Sequence, residues 1–311
     1  MSAIADTAIV AVPEVAVGRR PTFQLIRNAL GLWRTRIGLV FVGALVAIAV
    51  FGPFFAPHSP TAFVGQPNTR PSNLLFGTDH IGQDVWSRFL WGGGQLLAVS
   101  AIATILGLVL GVIVGLISAY SRNYIDDVLM RAMDVILAFP QIMLALVAIT
   151  TLGATSWLIV LAVGLTTMPR VARVARGAAQ PVVERDFVAA AEALGVARWR
   201  ILLGEILPNI LSPLMVEASL RLTYSIGLIA ALAFLGFSTD PNGANWGTMI
   251  QENQLALVSQ PWGVILPIAS IAVLTIGTSL IGDGVARAAI GIHRGKKTPT
   301  EIAPITQAGS E

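Results

Sequence analysis

Runs of about 20 apolar residues recur along this chain, and that is the length a helix needs to cross about 30 Å of hydrocarbon. Residues 37–56 form the first run, free of charge. Residues 95–120 form the second and 135–152 the third. Residues 156–168 are a shorter fourth, closed by Pro169. Residues 210–237 form a fifth that contains Glu217 and Arg221, and 262–282 a sixth. The expectation is an all-α, polytopic membrane protein with about six spans.

Composition agrees. Charged residues make up 12% of the 311 residues, about half the usual 25% of soluble domains. That argues against a soluble enzyme, and against a disordered chain, which needs low hydrophobicity and high charge. No Cys is present, so disulfides, thiolate catalysis and Cys-ligated metal are excluded. The basic pI of 9.8 accompanies a net charge of only +3, and placement explains it. Arg19, Arg20, Arg27, Arg34 and Arg36 precede span one, and Arg122 and Arg131 join spans two and three. Arg170, Arg173, Arg176, Arg185, Arg198 and Arg200 follow span four, and Arg287, Arg294, Lys296 and Lys297 follow span six. Of the 20 Lys and Arg, only Arg70 and Arg88 fall in outer connections and Arg221 in a span. By the positive-inside rule both termini are expected in the cytoplasm, and the basic charge reads as topology, not as nucleic-acid binding. The first 18 residues lack a compact apolar core, so span one is expected to act as an uncleaved start-transfer helix. Trp86, Trp91, Trp246 and Trp262 flank spans on the outer side, where interfacial anchoring places aromatic rings.

Between the spans, residues 57–93 and 238–261 are long outer segments that either receive another protein or only cap the bundle. His58 and His80 stand near Asp79 and Asp84, at a spacing that matches no metal-ligand pattern. On the inner side, Pro169 is expected to kink the fourth helix and Pro181 to interrupt it. A short helix over 182–194 would end at Gly195, where a left-handed cap belongs. A second, over 198–204, would stop before Leu207-Pro208. The small side chains of this helix–Gly–helix unit offer a flat face for docking or for resting on headgroups. Within the bilayer, Gly107, Gly111 and Gly115 recur at four-residue spacing, the pattern of close helix packing. Glu217 and Arg221 share a helix face and can pair, either along a translocation path or as a structural ion pair. Catalytic constellations are missing: no G-x-x-x-x-G-K-[ST], no H-E-x-x-H and no G-x-S-x-G occur. Any ATP used in transport must bind another chain.

Five stretches in order carry a resemblance. Phe187-Val188-Ala189-Ala190-Ala191-Glu192-Ala193-Leu194-Gly195, followed by Leu207-Pro208-Asn209, resembles the "EAA" coupling loop of ABC importer permeases. The stretch from Leu75-Phe76-Gly77-Thr78-Asp79-His80-Ile81-Gly82-Gln83-Asp84 to Arg88 resembles the outer signature of the C-type permease of dipeptide and oligopeptide importers. So do the stretches Met130 to Pro140, Ala233-Phe234-Leu235-Gly236-Phe237 and Leu280-Ile281-Gly282-Asp283-Gly284. Two positions depart from the pattern. Ala189 stands where the coupling motif opens with Glu, Glu192 not being its equivalent, and Gln83 stands where Arg often follows Gly.

The resemblance implies a type I ABC importer permease fold in the inner membrane, half of a pathway completed by a homologous sister subunit. It implies two ATP-binding subunits, which would hold ATP and Mg, and an extracytoplasmic substrate-binding protein; no cofactor belongs to this chain. Residues 1–36 would be a cytoplasmic tail, 37–94 the first span and outer loop, 95–292 the core with its coupling loop at 170–209, and 293–311 a second tail. Phe187, Ala189, Ala190, Ala191 and Gly195 would form the coupling surface. An ion-driven secondary transporter is the alternative; it would bury charges in several spans, whereas only span five carries a pair.

Overall fold

A computed structural model describes residues 22–72, 74–121, 124–238 and 243–290. The expectations for Arg19, Arg20, Arg122, Arg294, Lys296, Lys297 and the 293–311 tail lie outside the described residues. The chain forms helices α1 (Thr22–Gly31), α2 (Trp33–Phe55), α3 (Val85–Tyr120), α4 (Tyr124–Leu137), α5 (Gln141–Leu152) and α6 (Ser156–Val183). It continues through α7 (Asp186–Ala193), α8 (Arg198–Arg200), a π turn (Ile201–Ile206), α9 (Leu207–Phe234), α10 (Trp246–Asn253) and α11 (Trp262–Ile290). Among the described residues β structure is limited to two isolated bridges, Phe63 with Gln83 and Thr78 with Asp84.

Five helices are long and apolar enough to span, and the bent pair α4 and α5 makes a sixth crossing if counted as one. That pair corrects the straight third span. α4 and α5 meet at 81°, broken before Pro140, whose ring removes a donor and disfavours helical backbone in the residue ahead of it. Other boundaries also move. α3 begins ten residues before the apolar run, because Asp84 caps it by accepting from the amides of Trp86 and Ser87. α6 runs past Pro169, as expected, and Pro181 also lies inside it, so Pro181 does not interrupt it. Thr166 and Thr167 hydroxyls donate to the carbonyls of Ala162 and Gly164 at 2.9 and 2.8 Å, supporting the turn before Pro169. The short helix of the elbow therefore begins at Asp186, not at 182. Nor does Pro208 break the chain: the span runs unbroken over Arg198–Phe234. The π turn lets the Leu207 amide reach back to Leu202, widening the helix where the proline ring would otherwise meet the carbonyl four residues earlier. Part of the expected N-terminal tail is helical, since α1 packs against α11.

Small residues set how closely the helices approach. A Cβ on Gly111 would lie 2.5 Å from Val171 Cβ, and one on Gly115 would lie 2.5 Å from the Ala172 carbonyl. A Cβ on Gly107 would collide with Thr167. The three glycines thus form the contact line of α3 on α6. The apolar core has two parts. One, around Phe89, Leu96, Val163, Ile226 and Trp246, fills the end that carries the outer segments. The other, around Leu116, Ala179, Val188, Ile206 and Ile210, lies at the elbow end.

Candidate functional site

At the elbow, α6 turns through Glu184–Arg185 into α7. Gly195 has φ +72°, a left-handed conformation that closes the helix. Its amide donates to Glu192 O at 3.0 Å and the Val196 amide to Ala191 O at 3.1 Å, the paired bonds of a Schellman cap. Val188 is fully buried among Leu116, Ile201 and Ile206 and pins α7 to the bundle. Ala191 is half-buried on the same side, while Ala189 and Ala190 are exposed. Phe187, Leu194 and Trp199 are 37%, 82% and 59% exposed, and the Arg200 guanidinium lies over the Trp199 ring at 5.1 Å. The elbow thus presents apolar side chains around a small-residue patch. Glu192 is turned back toward the bundle, where its Oε1 accepts from Tyr120 Oη at 2.6 Å.

Above the elbow, ion pairs fix α4 to its neighbours. Arg176 on α6 donates to Asp126 on α4 through Nε at 2.7 Å and Nη2 at 2.5 Å. The Ser118 hydroxyl of α3 donates to the same carboxylate, and Arg173 pairs with Asp134. Glu217 and Arg221 form a buried ion pair at 2.8 Å, and the Arg221 guanidinium stacks on Tyr224 at 4.9 Å. They lie on the face of α9 that carries Ile210 and Leu214, both buried, so the pair faces the bundle interior. Arg221 Nη1 is buried without a hydrogen-bond partner.

The opposite end is a tightly bonded staple. Asp79 is completely buried; its Oδ1 accepts from the amides of Ile81 and Gln83 at 3.0 and 2.7 Å, and its other oxygen pairs with Arg88. Arg88 also reaches Glu252 of α10 at 2.9 Å. Gln260 Nε2 donates to the carbonyls of Thr69, Phe76 and Thr78. Trp246 Nε1 donates to Phe89 O at 2.9 Å. Rings of Trp262, Phe76, Trp86, Phe89 and Trp246 follow one another at centroid spacings of 5.3, 5.3, 5.6 and 5.4 Å. This corrects the anchoring expectation for Trp246, which is fully buried; Trp86 and Trp262 are half-buried in the stack. Trp91 alone of the four is counted among the exposed side chains. His58 Nδ1 meets Asp84 Oδ2 at 3.4 Å, while the His80 amide donates to Asn253 Oδ1 at 3.0 Å. Asp240, Pro241 and Asn242 lie outside the described residues.

Sequence reasoning named the elbow, the glycine line and the Glu217–Arg221 pair. It missed Tyr120, Arg88, Gln260 and the Trp246 indole. Their partners are distant in sequence, except for Asp79 nine residues before Arg88, and only the charge on Arg88 at the head of an apolar helix marked one of them.

Residues 107–290 match the family model described as binding-protein-dependent transport system inner membrane component. Residues 34–74 match the N-terminal TM domain of oligopeptide transport permease C. The chain is 33% identical over 269 residues to a dipeptide transport system permease protein of Alkalihalophilus pseudofirmus, covering 84% of this chain and 85% of that protein. It is 32% identical over 271 residues to a di/tripeptide transport system permease protein of Pseudomonas aeruginosa, covering 85% and 88%. A glutathione transport system permease protein of Pectobacterium atrosepticum is 32% identical over 248 residues, covering 79% and 82%. With an all-helical fold, five or six apolar crossings and both family models matched in order, the chain belongs to the inner membrane components of binding-protein-dependent transport systems, as a C-type permease of the peptide ABC importers.

Proposed function

We propose that this chain forms half of the translocation pathway of an ATP-driven importer of dipeptides, oligopeptides or a related small solute. A homologous sister permease supplies the other half. Two ATP-binding subunits lie beneath and an extracytoplasmic binding protein delivers the solute to the stapled outer end. Both termini face the cytoplasm, as the Lys and Arg placement favours, and the chain sits as a multi-pass protein in the cell's inner membrane. ATP and Mg bind the partner ATPases, and this chain carries out no catalysis.

The observation that carries this reading is the elbow: an exposed apolar and small-residue surface, built at the end of two continuous spans and pinned to them by buried Val188. Phe187, Ala189, Ala190, Ala191 and Gly195 shape the face against the ATPase. When the ATPases close on ATP, α7 moves as a rigid lever, because its cap and its buried anchor hold it as one body. Since α6 runs into the elbow and α8, the π turn and α9 run out of it, the displacement rocks both spans, switching the halves between inward- and outward-facing states. Glu217 and Arg221, paired and stacked on Tyr224, lie along the moving face of α9 and line the path when the halves part. The peptide names of the relatives support the solute class.

The chain has no native Cys, so a single Cys introduced at Ala190 offers a unique crosslinking site. It is expected to crosslink to an ATP-binding subunit in membranes, and the sister permease is expected to co-purify. Crosslinks to phospholipid alone, or solute accumulation by vesicles holding only this chain, would overturn the proposal.

A further inference from the structure

The geometry points to Tyr120 as a positioning residue that ties α7 to α3, so that movement of the elbow is passed to the α3–α6 pair and not only to the two spans in direct chain continuity with it. The inference rests on the functional reading above and adds a third route for the force.

The elbow is joined to the rest of the molecule through short chain links at both ends: Glu184–Arg185 on the α6 side, and Gly195 to Ala197 on the other. Links of this kind bend. Val188 opposes bending near the start of α7, where it is buried in the cluster that holds Ile201 and Ile206 of the π turn. Near the end only half-buried Ala191 packs against the same core, while Ala193, Leu194 and Gly195 are exposed. Glu192 occupies that gap. It lies four residues after Val188, hence on the same side of the helix, and its Oε1 accepts from Tyr120 Oη at 2.6 Å. Tyr120 is the last residue of α3. Along α3, Gly107, Gly111 and Gly115 bring its backbone against α6 with no room for a side chain. A pull on Tyr120 therefore moves α3 and α6 together. The same geometry explains how a carboxylate can sit in this loop without serving the partner. Glu192, though exposed, is bonded back to α3 through Tyr120, while Ala189 and Ala190 lie at the surface assigned to the ATPase.

The test uses the complete importer in nanodiscs. Tyr120→Phe removes the hydroxyl and keeps the ring; Glu192→Ala removes the acceptor; Glu192→Gln keeps an oxygen that still accepts. Amide hydrogen exchange over 187–196 is expected to rise about three- to fivefold in Tyr120→Phe and Glu192→Ala, the scale of one modest hydrogen bond. Solute moved per ATP hydrolysed is expected to fall by a similar factor. The double variant should be no worse than either single one, because both remove the same contact, and Glu192→Gln should stay near wild type. Unchanged exchange and an unchanged ratio in Tyr120→Phe, or losses that add in the double variant, would overturn the latch while leaving the importer reading intact. Absence of ATP-binding subunits from the wild-type complex would instead overturn the functional reading, and with it the transmission role.

Discussion

Gly195 offers the sharpest test of the elbow, because its requirement can be separated into space and conformation. Its φ is +72°, and a Cβ built there would meet nothing within 4 Å. Substitution therefore costs backbone conformation alone. Alanine in the left-handed region costs about 1 kcal/mol, asparagine less, and a β-branched residue about 2 kcal/mol. At about 1.4 kcal/mol per tenfold, Gly195→Val shifts the equilibrium away from the closed cap about 30-fold and Gly195→Ala about fivefold. What opens is the pair of bonds from Gly195 and Val196 to Glu192 and Ala191, and with them the orientation of α7. In proteoliposomes holding the complete importer, solute moved per ATP hydrolysed should rank wild type, then Asn, then Ala, then Val, with hydrolysis itself persisting. Gly195→Val transporting at the wild-type rate would refute the lever. Asn failing as badly as Val would refute the conformational argument, since Asn tolerates this region.

Three further outcomes follow from the packing. Gly111→Ala should destabilise the purified subunit by about 1–3 kcal/mol through overpacking. Gly43→Ala, whose Cβ meets nothing within 4 Å, should be neutral or up to about 1 kcal/mol stabilising; detergent unfolding titrations compare the two, and equal effects would refute the close-approach account. Arg88→Met leaves the fully buried Asp79 without its cation and should cost about 3–5 kcal/mol. Adding Asp79→Asn should recover part of that loss in a thermal melt. Asp126→Asn removes the bidentate acceptor of Arg176 and should cost about 1–2 kcal/mol by the same melt, less than at the staple because both side chains keep part of their surface in solvent.

Much of the architecture is legible in the apolar runs, since hydrocarbon thickness leaves little choice about spans 37–56, 95–120 and 262–282. Gly195 was legible for a related reason: glycine after a helical Ala run has few other uses. What the pattern hid were positions where tertiary partners cancel a local rule. Ser87 and Arg88 read as loop until Asp84, Asp79 and Glu252 supply the cap and counter-charges that let α3 start at Val85. Pro169 read as a kink and Pro181 and Pro208 as stops, yet packing of α6 against α3 and the widened turn before α9 absorb all three. Pro140 does break its span, because α4 has carboxylates, Asp126 and Asp134, that hold it sideways against Arg176 and Arg173. Nothing local distinguishes that proline from the other three. The contact of Tyr120 with Glu192 joins residues 72 positions apart, and no periodicity foretells such a pair.

The aromatic staple also gives the molecule a built-in optical signal. Trp246, stacked on Phe89, is fully buried at one end, whereas Trp199 is largely exposed at the other. Shielded indoles emit toward the blue and hydrated ones toward the red. With the other five tryptophans replaced by Phe, the emission of Trp246 and Trp199 therefore says which end of the bundle has changed, with no dye attached.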